Sequence, residues 1–326
     1  MDVSIIVPVY KVEEYIGECI RSVMAQEGID GLKVECIVVD DCSPDESIAK
    51  AHESLEGYAG PVEFHFIARK ANGGLSAARN TGIRAARGGY VYFLDSDDVI
   101  TPNCISALWQ RVKEHPGVDI VTGDFETFPG QGIHHWLSLK GKTFPEYSDD
   151  LKWLRPFYLN GFPVLAWNKL IRRELIEQNN LYFMEGVLHE DNHWLWHSYP
   201  YVKSIAMVDK VTYLYRQRLG SITVKESKAE VIQNKRMYLT KIYLDIFSRP
   251  MLCDTAWRVF IAKVLNEYKI SAYNITYNGR KENAYKLLVG KLINNPTMPR
   301  ARKLALYYHM LGRPWMRYAI FNHLFR

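Results

Sequence analysis

The first hundred residues alternate between short apolar runs and stretches whose apolar positions recur at helical spacing. Ser4-Ile5-Ile6-Val7-Pro8 is a run closed by proline, the pattern of a buried strand. Tyr15 to Met24 follows with helical periodicity, and Val34 to Val39 reads as a second strand stopping at Asp40-Asp41. Ser43 offers an N-cap with Glu46 three residues on, so a second helix is expected from that point. Val62 to Ala68 is a third strand, and Ser76 to Ala86 is an Ala-rich helix ended by Gly88-Gly89. Tyr90 to Leu94 is a fourth strand that runs into Asp95-Ser96-Asp97-Asp98. Strands separated by such helices predict parallel βαβ units in a doubly wound α/β sheet.

Past residue 100 the pattern changes. Residues 101–220 are mixed and rich in Trp, Tyr, Gly and Pro, as expected of a substrate-facing half. From about residue 226 the periodicity is helical, broken at Asn278-Gly279 and Asn295-Pro296. The expected organisation is therefore residues 1–225 as one catalytic domain, with a nucleotide-binding half (1–100) and an acceptor half (101–225). A helical C-terminal region (226–326) follows.

Composition narrows the class. In 326 residues, 48% are hydrophobic and 24% charged, values of a globular chain with a sizeable core. No apolar run of about 18 residues is present, and no basic leader precedes the first strand, so a cytoplasmic protein is expected. Five cysteines, odd in number and never spaced as CxxC, fit reduced thiols. The net charge of +5 conceals an asymmetry. Residues 1–100 hold 17 acidic side chains against 9 Lys and Arg, whereas nothing after Glu282 is acidic. Residues 299–326 interleave Arg300, Arg302, Lys303, Arg313 and Arg317 with Tyr307, Tyr308, Trp315 and Phe321. That mixture suits either a peripheral contact with an anionic membrane or a solvated basic face. A uniformly basic nucleic-acid binder is excluded by the acidic front.

Ligands in doubly wound sheets bind outside the carboxyl ends of the strands, where both acidic clusters fall. No GxGxxG follows the first strand, and no GxxxxGK[ST] occurs in the chain, which argues against dinucleotide and P-loop chemistry. Asp95 and Asp97 project to one side of an extended segment, and Asp98 adds a third carboxylate. Clustered carboxylates repel one another unless a cation is near, so Mn²⁺ or Mg²⁺ is expected there, the alternative being an acidic turn. Asp41 could accept a hydrogen bond from a nucleoside, or close a strand-end turn. Asn72 lies in a Gly turn before a helix, and Arg79 one turn in could pair with a diphosphate or lie on the surface.

Taken in order and spacing, Pro8-Val9-Tyr10, Val38 to Ser43, Gly74 to Asn80 and Phe93 to Asp98 resemble glycosyltransferase family 2. The resemblance covers roughly residues 1–220. It implies the GT-A fold, a nucleotide-sugar-binding α/β domain with a mixed sheet, and inverting transfer from a nucleotide sugar, expected to be UDP-linked. The acceptor would be a hydroxyl of a surface polysaccharide or lipid-linked saccharide. It implies donor contacts from Pro8, Val9, Tyr10, Asp41, Asn72, Arg79, Asp95 and Ser96, with the residue matching Asp41 contacting the base. It also implies metal contacts from Asp95, Asp97 and Asp98. Lys11 departs from the asparagine common at that position.

His189-Glu190-Asp191-Asn192-His193 carries two readings. It matches HExxH, in which two histidines hold zinc beside a glutamate base, but no third ligand follows. Glu190-Asp191 with Trp194 is similar instead to the family's Glu-Asp-x-x-aromatic motif, which makes Asp191 the general base and Glu190 its neighbour. Trp167 to Arg173 is similar to an acceptor-side segment, with Trp167 and Lys169 as acceptor contacts, or begins an amphipathic helix. Tyr215 to Thr223 resembles a loop closing over the donor, with Arg216, Arg218 and Ser221 near the diphosphate. A non-catalytic nucleotide or glycan binder on the same fold remains the contrasting class.

Overall fold

A computed structural model describes residues 1–128, 144–217, 274–277 and 280–283. The chain divides into two compact units, residues 1–186 with 190–224, and residues 187–189 with 225–326. In the first unit the order is β1 (Val3–Val9), α1 (Ile16–Met24), β2 (Val34–Asp40), α2 (Ser47–Ser54), β3 (Val62–Ala68), α3 (Leu75–Ala85) and β4 (Tyr90–Phe93). Then come β5 (Val99–Ile100), α4 (Cys104–Glu114), β6 (Ile120–Phe128), β7 (Tyr147–Ser148), α5 (Leu151–Asn160), β8 (Lys169–Arg172), α6 (Arg173–Asn179), α7 (Glu190–Ser198) and β9 (Ile205–Arg216).

Among the described residues one nine-stranded sheet forms, ordered β3-β2-β1-β4-β8-β6-β9-β5, with β7 paired to β9. The first four strands are parallel, in register from Val3 opposite Val34 and Tyr90, as the βαβ pattern demands. Then β8 runs antiparallel to β4 and β6, which turns the sheet mixed. All seven residues of β1 are buried, because helices cover both faces of a parallel sheet. Burial of each Ile or Val there contributes about 1.5–3 kcal/mol. The buried residues of α1, Ile16, Cys19, Ile20 and Val23, keep the i, i+3, i+4, i+7 spacing of one helix face. Gly82 lets α3 sit close on β1: a Cβ there would lie 2.3 Å from Ile6 Cγ2. This close approach seats Arg79, one turn earlier, beneath the site.

Two local expectations are corrected. The second helix starts at Ser47, not after Ser43, and Asp45 serves its first turn by accepting from Ser47 N at 3.3 Å and Ser47 Oγ at 2.6 Å. In the region read as helical, residues 274–277 and 280–283 pair as antiparallel strands, β10 and β11. The Asn278-Gly279 between them is a dipeptide favoured by two-residue hairpins.

The acceptor half is stitched by Asn168, which takes a left-handed φ of 59°. Its Nδ2 donates to Gly123 O and Asp124 O, both at 3.0 Å, and its Oδ1 accepts from Thr212 Oγ1 at 2.7 Å. These bonds hold β6 and β9 where their register shifts, between Thr122 and Phe125.

Candidate active site

The carboxyl ends of β1, β2 and β4 present Tyr10, Asp41 and Asp95 together, as their parallel register requires. Pro8 and Val9 are buried in β1, while Tyr10 beyond it is 41% exposed. Lys11 follows with a φ of 54° and places Nζ 5.4 Å from the Tyr10 ring centroid. Asn72 is exposed and Ser96 buried.

Asp41 is buried, and its carboxylate already accepts from Arg69, from Gly73 N at 3.0 Å and from Gly74 N at 2.7 Å. It closes the loop from Arg69 to Gly74, whose last residue has a φ of 84° that favours glycine. Sequence reading missed Arg69.

The three-carboxylate cluster does not converge. Asp95 Oδ1 pairs with Arg79 Nη2 at 2.6 Å. Asp98 turns inward, 1% exposed, accepting from Tyr213 Oη at 2.6 Å and from Arg216 N at 2.6 Å. Burial, then Asp97 and Asp95, push its carboxyl well above the usual range. Asp98 as a metal ligand is therefore corrected: it anchors β9 to the Asp95–Asp98 turn. Among the described residues no group of three or more His, Cys, Asp or Glu side chains is placed to hold a metal ion. Asp95 and Asp97, both half-buried, remain at the surface of the turn.

Arg79 is not a surface residue. It is 2% exposed, and its second fork nitrogen, Nη1, meets Glu190 Oε1 at 2.5 Å. Burial opposes its charge, but Asp95 and then Glu190 outweigh that and hold the guanidinium above its ordinary value. The signal was legible in part: Ser76, Ala77, Ala78 and Asn80 around it are small or buried, so the helix is enclosed there.

Glu190 and Asp191 open α7, where the helix dipole favours carboxylates. Asp191 is half-buried, and its Oδ1 accepts from Asn192 N at 2.7 Å. The zinc reading is corrected. His189 lies before the helix with a φ of 60°, His193 is 3% exposed, and the intervening glutamate is ion-paired with Arg79.

Trp167 and Lys169 are 6% and 2% exposed, which corrects them as direct acceptor contacts. Trp167 stacks on Tyr213 with centroids 4.2 Å apart, and Lys169 Nζ donates to the carbonyls of Leu165 and Trp167. Burial lowers the Lys169 ammonium to about 7, with Asp191 pulling the other way. Arg216 is also occupied: Nε donates to Asp97 O at 2.8 Å, Nη2 pairs with Glu18, and the guanidinium lies 4.7 Å from the Phe128 ring centroid. It braces the acidic turn rather than reaching outward. Arg218, Ser221 and residues 299–326 lie outside the described residues.

Comparison with known proteins identifies the arrangement. The profile of "Glycosyl transferase family 2" matches residues 4–179. The chain is 35% identical over 271 residues to the uncharacterized glycosyltransferase EpsJ of Bacillus subtilis, covering 80% of this chain and 75% of that one. It is 29% identical over 217 residues to the poly(ribitol-phosphate) beta-N-acetylglucosaminyltransferase TarS of Staphylococcus aureus, over 66% of this chain and 35% of the relative. The structure of S. aureus TarS 1-349 in complex with UDP-GlcNAc superposes with a TM-score of 0.67 at 21% identity, covering 94% and 87% of the two chains. The mannosyltransferase PcManGT from Pyrobaculum calidifontis, in complex with GDP-Man and Mn²⁺, gives 0.53 at 16% identity over 99% and 84%. The last two likenesses establish the GT-A fold.

Proposed function

We propose that this chain, which belongs to glycosyl transferase family 2, transfers one sugar with inversion from a UDP-linked donor to an acceptor hydroxyl of a surface polysaccharide or glycolipid. The observation that carries this reading is the junction of Asp95, Arg79 and Glu190, which joins the carboxyl end of β4 to the first turn of α7. Donor-side and base-side carboxylates thereby share one centre.

Asp191 is the general base. It takes the proton of the acceptor hydroxyl as that oxygen attacks the anomeric carbon, and the bond to the diphosphate breaks on the opposite face. Asp97 with the outer part of Asp95 would hold Mn²⁺ or Mg²⁺, since such ions take one or two carboxylates plus substrate phosphates and keep several waters. When bound, the ion neutralises charge on the departing diphosphate. Uridine is read at the Asp41 corner by exchange, its N3–H replacing the Arg69 contact while Tyr10 offers an exposed ring. Asn72 and Ser96 complete the donor side, with Arg218 and Ser221 assigned to it from the sequence alone. Organisation into a catalytic part (1–225) and a C-terminal region (226–326) is part of the same reading.

No helix among the described residues is long and apolar enough to cross a membrane. An anionic membrane contact through residues 299–326 rests on composition, and loss of anionic-liposome binding at low salt on their removal tests it.

Melting curves with UDP, CDP and GDP, with and without Mn²⁺, test the donor assignment. At a UDP concentration 100 times Kd the folded state gains about 2.7 kcal/mol. UDP with Mn²⁺ should raise Tm most. Equal shifts from all three nucleotides would remove the uridine assignment. Metal-dependent hydrolysis of UDP-GlcNAc would separate an enzyme from a mere binder.

A further inference from the structure

We infer that Arg79 is a positioning residue for the transfer reaction. From its buried place in α3 it sets the spacing between the donor-side carboxylate Asp95 and the base-side carboxylate Glu190. The inference rests on the proposed function and adds to it how donor and base are brought to one geometry.

The two partners come from segments far apart in the chain, 16 and 111 residues from Arg79. One nitrogen of the planar fork meets Asp95 at 2.6 Å, and another meets Glu190 at 2.5 Å. The guanidinium carbon lies 5.9 Å from the Phe93 ring centroid and 5.3 Å from that of Phe183, so its plane is held by packing as well as by charge. The next residue repeats the grip. Asn80 Nδ2 donates to Phe183 O and Asn80 Oδ1 accepts from Phe183 N, both at 2.8 Å, which ties α3 to the segment leading toward α7.

A side chain 2% exposed with both arms taken cannot reach a diphosphate without leaving two carboxylates stranded. Its contribution is therefore geometric. Asp191 follows Glu190 directly, so a shift of Glu190 moves the base relative to the donor held at Asp95 and Asp97. A misplacement of about 1 Å at such a site costs on the order of 10²-fold in rate. Lysine keeps the charge but, as a point donor on a flexible stem, does not reproduce the two-armed fork.

The test uses the full chain with Arg79→Lys, Glu190→Gln and the double variant. UDP binding in Mn²⁺ is measured by calorimetry, and turnover by hydrolysis of UDP-GlcNAc. Each single variant should bind UDP within about three-fold of the parent, while kcat falls roughly 10²-fold. The double variant should lose no more than the worse single, because both changes cut one link. UDP affinity falling in step with kcat would make Arg79 a diphosphate ligand and overturn the inference, as would losses that multiply in the double variant. If Arg79→Lys fails to fold, Glu190→Gln decides alone, and unchanged kcat there overturns the inference. A parent protein that neither binds UDP nor turns over any nucleotide sugar would instead defeat the proposed function.

Discussion

Of the arginine–carboxylate systems at the two ends of the parallel strands, Glu35 with Arg87 and Arg79 with its two carboxylates are built inside out relative to one another. At the amino end Glu35 is the buried member, its side chain 1% exposed, while its partner Arg87 is 53% exposed. Ser4 Oγ donates to Glu35 at 2.6 Å and Arg87 N at 2.8 Å, so backbone and hydroxyl share the task. At the carboxyl end the arginine is buried, and its carboxylates Asp95 and Glu190 retain side-chain exposures of 24% and 11%. At the amino end the buried acid is taken up by the fold. Burying the cation leaves its acids partly exposed while holding them in place.

Asp97→Asn should break the carboxyl end most completely. Metal-dependent UDP binding should fall to the level seen in EDTA while Tm without ligand stays near that of the parent, as calorimetry and melting curves would show. Retained Mn²⁺-dependent binding would move the ion elsewhere. The same measurements on Glu63→Gln, beside Arg87 at the amino end, should show no change in UDP binding.

The amino end should answer in stability alone. The Ser4 and Arg87 hydrogen bonds outweigh burial and hold the Glu35 carboxyl below its ordinary value. A depressed folded value contributes stability above the unfolded pKa, and that stability is lost as pH falls through the folded one. Glu35→Gln should thus lower Tm by roughly 3–6 °C at neutral pH. The gap should close on acidification below the ordinary glutamate range, with kcat unchanged at neutral pH. A gap independent of pH would assign the loss to packing.

Much of this was legible in the chain. Ser4 to Pro8 and Val34 to Val39 read as buried strands because a parallel sheet leaves no polar face to confuse the pattern. Three of the four motifs fall at strand ends and the fourth opens α3, and parallel strands deliver their carboxyl ends to one edge. What stayed hidden was direction. Nothing local to Asp98 tells that it turns inward to Tyr213, 115 residues on, whereas Asp97 does not share that bond. Arg69 on Asp41, and Arg79 between Asp95 and Glu190, are likewise pairings made by the tertiary fold. Charge alone made Arg79 look available to phosphate. Trp167 and Lys169 misled for the opposite reason: an amphipathic aromatic and a charged side chain look exposed, yet both are buried.

Turnover of Asp191→Asn, measured beside its UDP affinity, tests the assignment of this site most directly. The substitution keeps the shape of the side chain and removes its basicity. Transfer or donor hydrolysis should fall roughly 10²–10⁴-fold with UDP binding nearly unchanged. Parental turnover in Asp191→Asn would contradict the account, because Asp191 would then not be accepting the proton.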